Sequence, residues 1–589
     1  MADKVSCGAL RAADEGKSVE LDGWVNRRRD HGGLIFVDLR DHRGVTQIVF
    51  DPQHPSFAQA EHLRHEDVLR VVGTVRRRPA GTENPRLETG DVEVAIAELD
   101  ILNRSLVPPF QVNADEAVDE NLRLEYRYLD LRRPRMQRNL RVRHRIVKAM
   151  RDFFDSRDFL EIETPMMIKS TPEGARDYLV PSRIYPGSFY ALPQSPQLLK
   201  QILMISGFGR YMQIARCMRD EDPRADRLVE FVQLDVELSF CTQEDVLETM
   251  ESCMRYVWRT VLGVDLPPFP RLKHQEAIAR YGLDKPDLRF GLELADVTTV
   301  FAGTEFGVFR SVVDGGGAIV ALRYPGGASL SRREFDALTE TAKELGGKGM
   351  VWIALSSEGT KSSAQRFLTD EFVERVRAAV EAQTGDAVLL FADSGEIARA
   401  VAGKMRNEVG QRCGLRDPST FAFAWVTDFP YLELDEKSGE PMPAHHPFTA
   451  PAPGDWALID RAPAQMRAQH YDMVLNGYEL GSGSIRIHKA EEQRKIFAML
   501  GLTPEQVEDR FGFFVRALDY GAPPHGGMAL GVDRIVMLAC GEENLREITA
   551  FPKNQAGRDV MMDAPSAVPS ELLRDLHLRL DSRESRSPG

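Results

Sequence analysis

Glu230-Phe231-Val232-Gln233-Leu234-Asp235-Val236-Glu237 alternates polar and apolar residues with a period of two. On a strand, successive side chains point to opposite faces. Gln233, Asp235 and Glu237 therefore share one face, and Val232, Leu234 and Val236 share the other. The pattern predicts a strand with an apolar back and a charged floor. Just upstream, Cys217-Met218-Arg219-Asp220-Glu221-Asp222 brings Arg219 and Glu221 to one parity. A hairpin joining the two stretches would set an arginine over a row of carboxylates and an amide. Far downstream, Gly526-Gly527-Met528-Ala529-Leu530-Gly531-Val532-Asp533-Arg534 carries a second arginine on an apolar framework.

Arginine is always charged, and its planar fork matches phosphate oxygens. Two of them beside carboxylates suggest a triphosphate site with a metal. The chain has no Gly-x-x-x-x-Gly-Lys-Ser/Thr loop, so the grip would come from side chains rising off strands. A structural ion-pair lattice would show the same hairpin pattern. The balance moves because Asp472, Glu479, Arg486 and Arg534 form a second set, and burying so many charges for structure alone is a poor strategy. Asp472 and Glu479 are candidate ligands for Mg2+, which takes one or two carboxylates plus substrate phosphates. Glu479-Leu-Gly481-Ser-Gly483-Ser-Ile-Arg486 has small residues where a ligand could approach the backbone. Glu479 and Arg486 would face opposite ways on a regular strand, so a bulge or a change to helix is required there. His445-His446 on an extended segment would point apart, which favours a substrate loop over a metal site.

The chain has 589 residues with 75 basic against 89 acidic side chains, a balance of −14. That excludes indiscriminate nucleic-acid binding while allowing a local basic patch. Length predicts three or four domains. Six scattered cysteines without a Cys-x-x-Cys pair argue against structural zinc or a disulfide framework and fit a reducing cytoplasm. No apolar run resembles a signal peptide or reaches membrane-spanning length.

Residues 18–103 read as five short strands: alternation at Val19-Leu21-Gly23-Val25 and Ile35-Val37-Leu39, then 45–50, 68–75 and 91–101. Five strands in so short a span suit an OB-fold β-barrel. Arg27-Arg28-Arg29, Arg76-Arg77-Arg78 and Phe36 could form a stacking and phosphate-binding surface. From this segment alone a solvated charged face is the favoured reading. The expected organisation is 1–104 barrel, 105–138 hinge, 139–287 first part of a catalytic domain, 288–420 an α/β insertion, 421–563 its second part and 564–589 a frayed tail. Ile146, Val147, Met150, Phe153 and Phe154 mark an amphipathic helix. The Pro165 segment after it should be a strand end or edge.

These residues resemble the class II aminoacyl-tRNA synthetases, specifically bacterial-type aspartyl-tRNA synthetases, over nearly the whole chain. The resemblance rests on Gly23-Trp-Val-Asn-Arg-Arg-Arg29-Asp, Thr171-Pro-Glu173-Gly-Ala-Arg-Asp177-Tyr, Leu192-Pro-Gln-Ser195-Pro-Gln197-Leu-Leu-Lys200, Arg219-Asp-Glu221-Asp, His445-His446-Pro-Phe-Thr, Gly477-Tyr-Glu479-Leu-Gly and Gly531-Val-Asp-Arg534. It implies an α+β multidomain fold: an OB-fold barrel and an antiparallel-sheet catalytic domain split by an insertion. It implies a homodimeric ligase, with no membrane partner, that uses ATP and Mg2+ to make aspartyl-adenylate and passes the aspartyl group to the 3′ end of tRNA.

By the resemblance, Arg219 clamps the α-phosphate and reacting carboxylate, and Arg534 holds the γ-phosphate. Asp220, Glu221, Glu479, Gly531, Val532 and Asp533 complete the ATP site, with metal on Asp472 and Glu479. L-aspartate meets Glu173, Ser195, Gln197, Lys200, Asp235, His445 and Arg486, the lysine and arginine taking its side-chain carboxylate. In the barrel, Arg29, Phe36 and Gln47 read the anticodon. His31 and Gly81 resemble the residues of relatives that charge both tRNA-Asp and tRNA-Asn, a non-discriminating activity that implies a separate amidotransferase. The alternatives are an enzyme restricted to tRNA-Asp and a non-catalytic nucleic-acid-binding protein. Leu228-Val229 departs from the Gln-Pro common in relatives, which puts a side-chain contact to ATP there in doubt.

Overall fold

The computed structural model describes residues 2–114, 116–171, 175–434 and 441–580, which divide into two compact units. The first comprises residues 1–138 with 550–554 and 558–565. Its six strands, Asp3–Lys4, Ser18–His31, Leu34–Arg40, Val45–Phe50, Val68–Arg77 and Val92–Asn103, close into a barrel because Ser18–His31 pairs with both Leu34–Arg40 and Val68–Arg77. Val19, Leu21, Val25, Val37, Leu39, Ile48, Leu69 and Val71 fill its interior, on the expected parity. Residues 105–138 are more built than a hinge. They hold two short helices, Glu120–Glu125 and Arg127–Asp130, with the fully buried Asp130 gripped by Arg123 and Arg127.

The second unit is organised on an eight-stranded sheet. Its order is Arg271–Lys273, Phe423–Thr427, His470–Leu475, Tyr478–Ile485, His525–Gly531, Glu230–Ser239, Arg210–Met218, Leu160–Glu161. The pairings are antiparallel except at the two ends. Leu234, Val236, Met473 and Met528 point into a helical layer formed by Ile146, Met150, Phe153 and Phe154 of helix Pro134–Asp155, by Gln243–Leu262 and by Val532–Cys540. Helix Gln243–Leu262 starts at a Thr242/Asp245 capping box and stops at Gly263, whose left-handed φ of 71° suits glycine. The opposite face of the central strands is left for charge. The segment before Pro165 is the edge strand of this sheet, as its proline requires.

Residues 295–393 form a separate five-stranded antiparallel sheet, ordered Ala295–Asp296, Ala318–Tyr324, Ala387–Asp393, Val351–Ser356, Gly359–Ser362. Helices Arg332–Glu344 and Gly395–Arg412 cover one face, and Gly307–Asp314 and Asp370–Ala379 the other. It lies in sequence between Arg271–Lys273 and Phe423–Thr427, neighbours in the large sheet. The tail contains a short helix, Ser570–Asp575.

Candidate active site and barrel face

A cavity of about 690 Å³ opens on the charged face of the large sheet. Arg219, Glu221, Gln233 and Asp235 reach it from one side, and Asp472, Glu479, Arg486 and Arg534 from the other. The hairpin forms as its parity requires: Arg210–Met218 runs antiparallel to Glu230–Ser239, and Glu230–Ser239 then pairs with His525–Gly531. The sheet thus brings together two stretches of sequence nearly 300 positions apart, with Gln233 opposite Gly531.

The floor is a fully buried charge network. Lys200 donates to Asp235 Oδ1 at 3.0 Å and lies 3.5 Å from Glu237. Arg486 forks onto both Glu237 oxygens at 2.9 and 3.1 Å. Burial alone would raise Glu237, but Arg486 and Lys200 outweigh it and hold the carboxyl low. Burial wins at Asp235, which is raised in spite of Lys200. The two cations expected to take a substrate carboxylate are thus already paired with carboxylates of the protein. Arg486 also donates to Ser484 Oγ at 2.6 Å and to His446 Nε2 at 2.8 Å. An imidazole nitrogen accepts only when unprotonated, and burial together with Arg486 keeps His446 far below the usual histidine range. The sequence places His446 with His445 on a substrate loop but gives it no partner. His445 instead stacks on His470 with centroids 3.6 Å apart, and burial drives it down to about 2.

Several buried polar atoms around this cavity have no hydrogen-bond partner: Gln197 Nε2, Asp235 Oδ2, Arg219 Nε, Arg534 Nε and His445 Nε2. Buried groups of this kind are normally satisfied. Donors and a carboxylate oxygen, all turned to one pocket, describe a site shaped for a zwitterionic or anionic ligand. Arg219 lies 5.0 Å from the Phe231 ring, and its N–H donates to the Val229 carbonyl. Leu228 and Val229 are both buried, so the departure from Gln-Pro places apolar side chains there. Glu221 pairs with Arg227 at 2.7 Å, and Arg534 reaches the Glu479 carbonyl and, at 3.3 Å, the Asp226 carbonyl.

The parity conflict between Glu479 and Arg486 is resolved by the required bulge. Met473 pairs with Gly481 and Val474 with Glu479, leaving Leu480 extra. Asp472 and Glu479 then share the pocket with little compensation. Burial pushes Asp472 up to about 7, and burial plus Asp472 raises Glu479. Asp472 also bonds His470 at 2.8 Å.

Not every expected residue faces the cavity as a side chain. Asp220 turns to Arg176, 3.6 Å away. Val532 is fully buried in the helical layer. Asp533 does line the cavity, and its carboxylate also braces the sheet by accepting from Arg143 at 2.5 Å and from the Val232 N–H at 2.7 Å. Gly481 and Gly483 line the cavity, and their missing side chains also let the neighbouring strand close in. A Cβ on Gly481 would sit 1.9 Å from the Ala529 oxygen, and one on Gly483 would meet Gly527 and the Tyr471 ring. Ser195, Gln197 and Gly531 line the cavity. Glu173 lies outside the described residues.

On the barrel, Arg29 sits opposite Phe36 and Asp38 opposite Gln47 in the strand ladders. Arg29 donates to Asp38 at 2.8 Å and to Gln47 at 3.1 Å, while Gln47 donates to Glu93. Phe36 stands half-buried beside them, so the three expected readers are neighbours, with Gln47 buried at 6% exposure beneath Arg29. His31 lies at the exposed Gly32-Gly33 turn, and Gly81 in another exposed turn at φ 87°.

Comparison with known proteins agrees with this geometry. Residues 119–555 match the profile of tRNA synthetases class II (D, K and N), and residues 19–102 match the OB-fold nucleic acid binding domain. The chain is 53% identical over 584 residues to the aspartate–tRNA(Asp/Asn) ligase of Moorella thermoacetica, covering 99% of this chain and 97% of that one. It is 50% identical to the protein of the same name from Salinibacter ruber, covering 98% and 94%. Among solved structures, asparaginyl-tRNA synthetase from Pyrococcus horikoshii complexed with asparaginyl-adenylate aligns with TM-score 0.59 and 20% identity, covering 94% and 98%. The aspartyl-tRNA synthetase of Entamoeba histolytica aligns with TM-score 0.56 and 18% identity, covering 94% and 92%. With an OB-fold barrel, an antiparallel sheet bearing the charged cavity and full-length relatives of this kind, the chain belongs to the class II tRNA synthetases of the D, K and N group, within its aspartate–tRNA ligase family.

Proposed function

We propose that the protein is an ATP-dependent aspartate–tRNA ligase that charges both tRNA-Asp and tRNA-Asn. The observation that carries the amino-acid assignment is the buried Lys200–Asp235–Glu237–Arg486 floor beside an unpartnered Asp235 oxygen. In this reading the substrate ammonium takes Asp235 Oδ2, and the side-chain carboxylate takes Lys200 and Arg486 in place of the His446 contact. Asparagine would put an amide against two cations, leaving buried donors poorly matched, which costs several kcal/mol by analogy with sites built for one polar group. Arg219 and Arg534 would hold the α- and γ-phosphates. The α-carboxylate oxygen then attacks the α-phosphorus and pyrophosphate leaves. The protein contributes chiefly positioning and charge.

Asp472 and Glu479 fit Mg2+ as buried carboxylates with excess negative charge, raised by burial. Among the described residues no cluster of three or more histidine, cysteine or carboxylate groups offers a complete metal cage, as suits an ion that takes its other ligands from phosphates and water. When bound, the ion would neutralise phosphate charge. The second step passes the aspartyl group to the terminal ribose hydroxyl of a tRNA held by the barrel at Arg29, Phe36 and Gln47. The relatives' printed names, Asp/Asn in each case, support dual specificity, as do His31 and Gly81. Aspartyl-tRNA-Asn would then pass to an amidotransferase. Exposed apolar side chains at Leu160 of the edge strand and at Met167, Ile184 and Tyr185 support a homodimer. The cysteines are free, as a cytoplasmic enzyme requires. No helix of the described residues is long and apolar enough to cross a membrane.

The test is ATP–pyrophosphate exchange with aspartate or asparagine, followed by charging of purified tRNA-Asp and tRNA-Asn. Exchange with aspartate only, and aspartylation of both tRNAs, is expected. Equal exchange with asparagine would overturn the substrate, and charging of tRNA-Asp alone would overturn the dual specificity. Phe36→Ser should weaken charging while exchange stays normal.

A further inference from the structure

We propose that Lys285 is the cation that receives the leaving pyrophosphate, and that helix Gly395–Arg412 of the insertion holds it at the cavity rim. The proposal rests on the adenylation reading above and adds to it a residue, and a task for the insertion.

Lys285 lines the same cavity as Arg219, Arg534, Asp472 and Glu479. Its side chain is exposed, and no carboxylate lies within ion-pair distance among the described residues. An uncommitted ammonium in the cavity that also holds Arg219 and Arg534 stands where phosphate oxygens would come.

The turn that carries it is pinned at both ends. Gly282 closes helix His274–Tyr281 at φ 74°, and a Cβ there would lie 2.2 Å from the Arg399 oxygen. A Cβ on Gly403 would reciprocally lie 2.6 Å from the Tyr281 oxygen. On the far side Arg406, only 1% exposed, donates to the carbonyls of Asp287, Phe290, Gly291 and Leu292 at 2.7–3.0 Å. The Asp287 carboxylate takes Arg289 and Arg416, and Pro286 stiffens the chain next to Lys285. Arg399, Gly403 and Arg406 all belong to helix Gly395–Arg412. The glycine–glycine contact and the arginine–carbonyl bonds make the insertion a buttress for a six-residue rim turn.

The chemistry needs a cation here. When the aspartate carboxylate oxygen bonds the α-phosphorus, the bond from that phosphorus to the α–β bridging oxygen breaks. Pyrophosphate departs with the electron pair, and negative charge grows on the leaving oxygen and β-phosphate. Preorganised positive charge where charge develops is the effective form of stabilisation. With Arg219 at the α-phosphate and Arg534 at the γ-phosphate, the β-phosphate is left to Arg227, which lines the cavity but is already paired with Glu221, and to the uncommitted Lys285. A lysine, a compact charge on a flexible stem, can follow a group that moves away.

Lys285→Met tests this in the full-length enzyme, and its exposure makes a folding defect improbable. The Michaelis constant for pyrophosphate in ATP–pyrophosphate exchange should rise about tenfold or more, as for loss of one charge-assisted contact. Transfer of aspartate from isolated enzyme-bound adenylate to tRNA should be unchanged, because pyrophosphate has already left. Lys285→Arg should recover part of the loss. An unchanged pyrophosphate constant, or equal slowing of the transfer step, would overturn the assignment. So would a variant that only shifts the Mg2+ requirement, since Lys285 would then be a mere counter-ion to Asp472 and Glu479. For the buttress, hydrogen exchange across residues 282–292 of the wild type should be slow, and rapid exchange would refute it. Wild-type protein with no aspartate-dependent exchange would sink the adenylation reading and not the placement of Lys285.

Discussion

Asp235→Asn offers a sharp test of the buried floor. Asp235 is fully buried; Oδ1 accepts from Lys200 at 3.0 Å and Oδ2 has no partner. Lys200, Asp235, Glu237 and Arg486 sum to no net charge, so the amide leaves the quartet at +1. Lys200 keeps Glu237 at 3.5 Å, so no buried cation is stranded and folding should survive. The substrate ammonium loses its charged acceptor and meets a positive field. A hydrogen bond to a charged group contributes about 1.5–3 kcal/mol, which at 1.4 kcal/mol per decade is roughly a 10- to 150-fold loss of aspartate affinity. The constant for ATP should move little, because the phosphate-facing arginines do not touch Asp235. Aspartate-dependent ATP–pyrophosphate exchange, titrated in aspartate and then in ATP, separates the two. A folded variant whose aspartate constant is essentially wild-type would refute the argument, as would one in which only the ATP constant changes.

Gly527→Ala should act on the same floor from behind. Its Cβ would lie 2.0 Å from Glu237 Oε2 and 2.1 Å from the Val236 oxygen. Overpacking of this kind costs about 1–3 kcal/mol, so a lower melting temperature and weaker aspartate binding are expected together; an unperturbed variant would show that Glu237 is not held as described. Asp472→Asn tests the metal wall through pH. Burial lifts the folded carboxyl from 3.8 to about 7, so the fold keeps its proton where the unfolded chain has lost it. This group's contribution is therefore present at low pH and lost as pH rises through about 4 to 7. Without divalent cations the variant should melt above the wild type at pH 8, with the gap narrowing toward pH 5. Added Mg2+ should stabilise only the wild type, and a gap that widens toward low pH would contradict the sign.

The alternation of Gln233, Asp235 and Glu237 was enough to infer a strand with a charged face, because side-chain direction on a strand follows from local geometry alone. The same reasoning found the barrel strands and required either a bulge or a change to helix between Glu479 and Arg486, since parity is a property of a short segment; the fold chose a bulge at Leu480. Partnership is another matter. That Glu237 neutralises Arg486 depends on strands 249 positions apart in sequence, and no local pattern encodes which of several carboxylates a buried cation meets. Gly481 and Gly483 read equally well as ligand-facing or strand-facing until the neighbouring strand shows which atoms fill the missing Cβ. Asp533, legible in sequence as an ATP contact, lines the cavity, but its bonds to Arg143 and Val232 are visible only in the fold.

Periodicity by itself determined the barrel strands and the charged face, and the resemblance carried by the motifs pointed to the family. Only the tertiary structure decided which charges are already paired, which of two adjacent histidines meets Arg486, and that the insertion's helix grips the turn carrying Lys285. The physical reason is range. Strand parity and helix capping act over a few residues, whereas burial, ion pairing and close backbone approach are set by surfaces that meet only when the chain has folded.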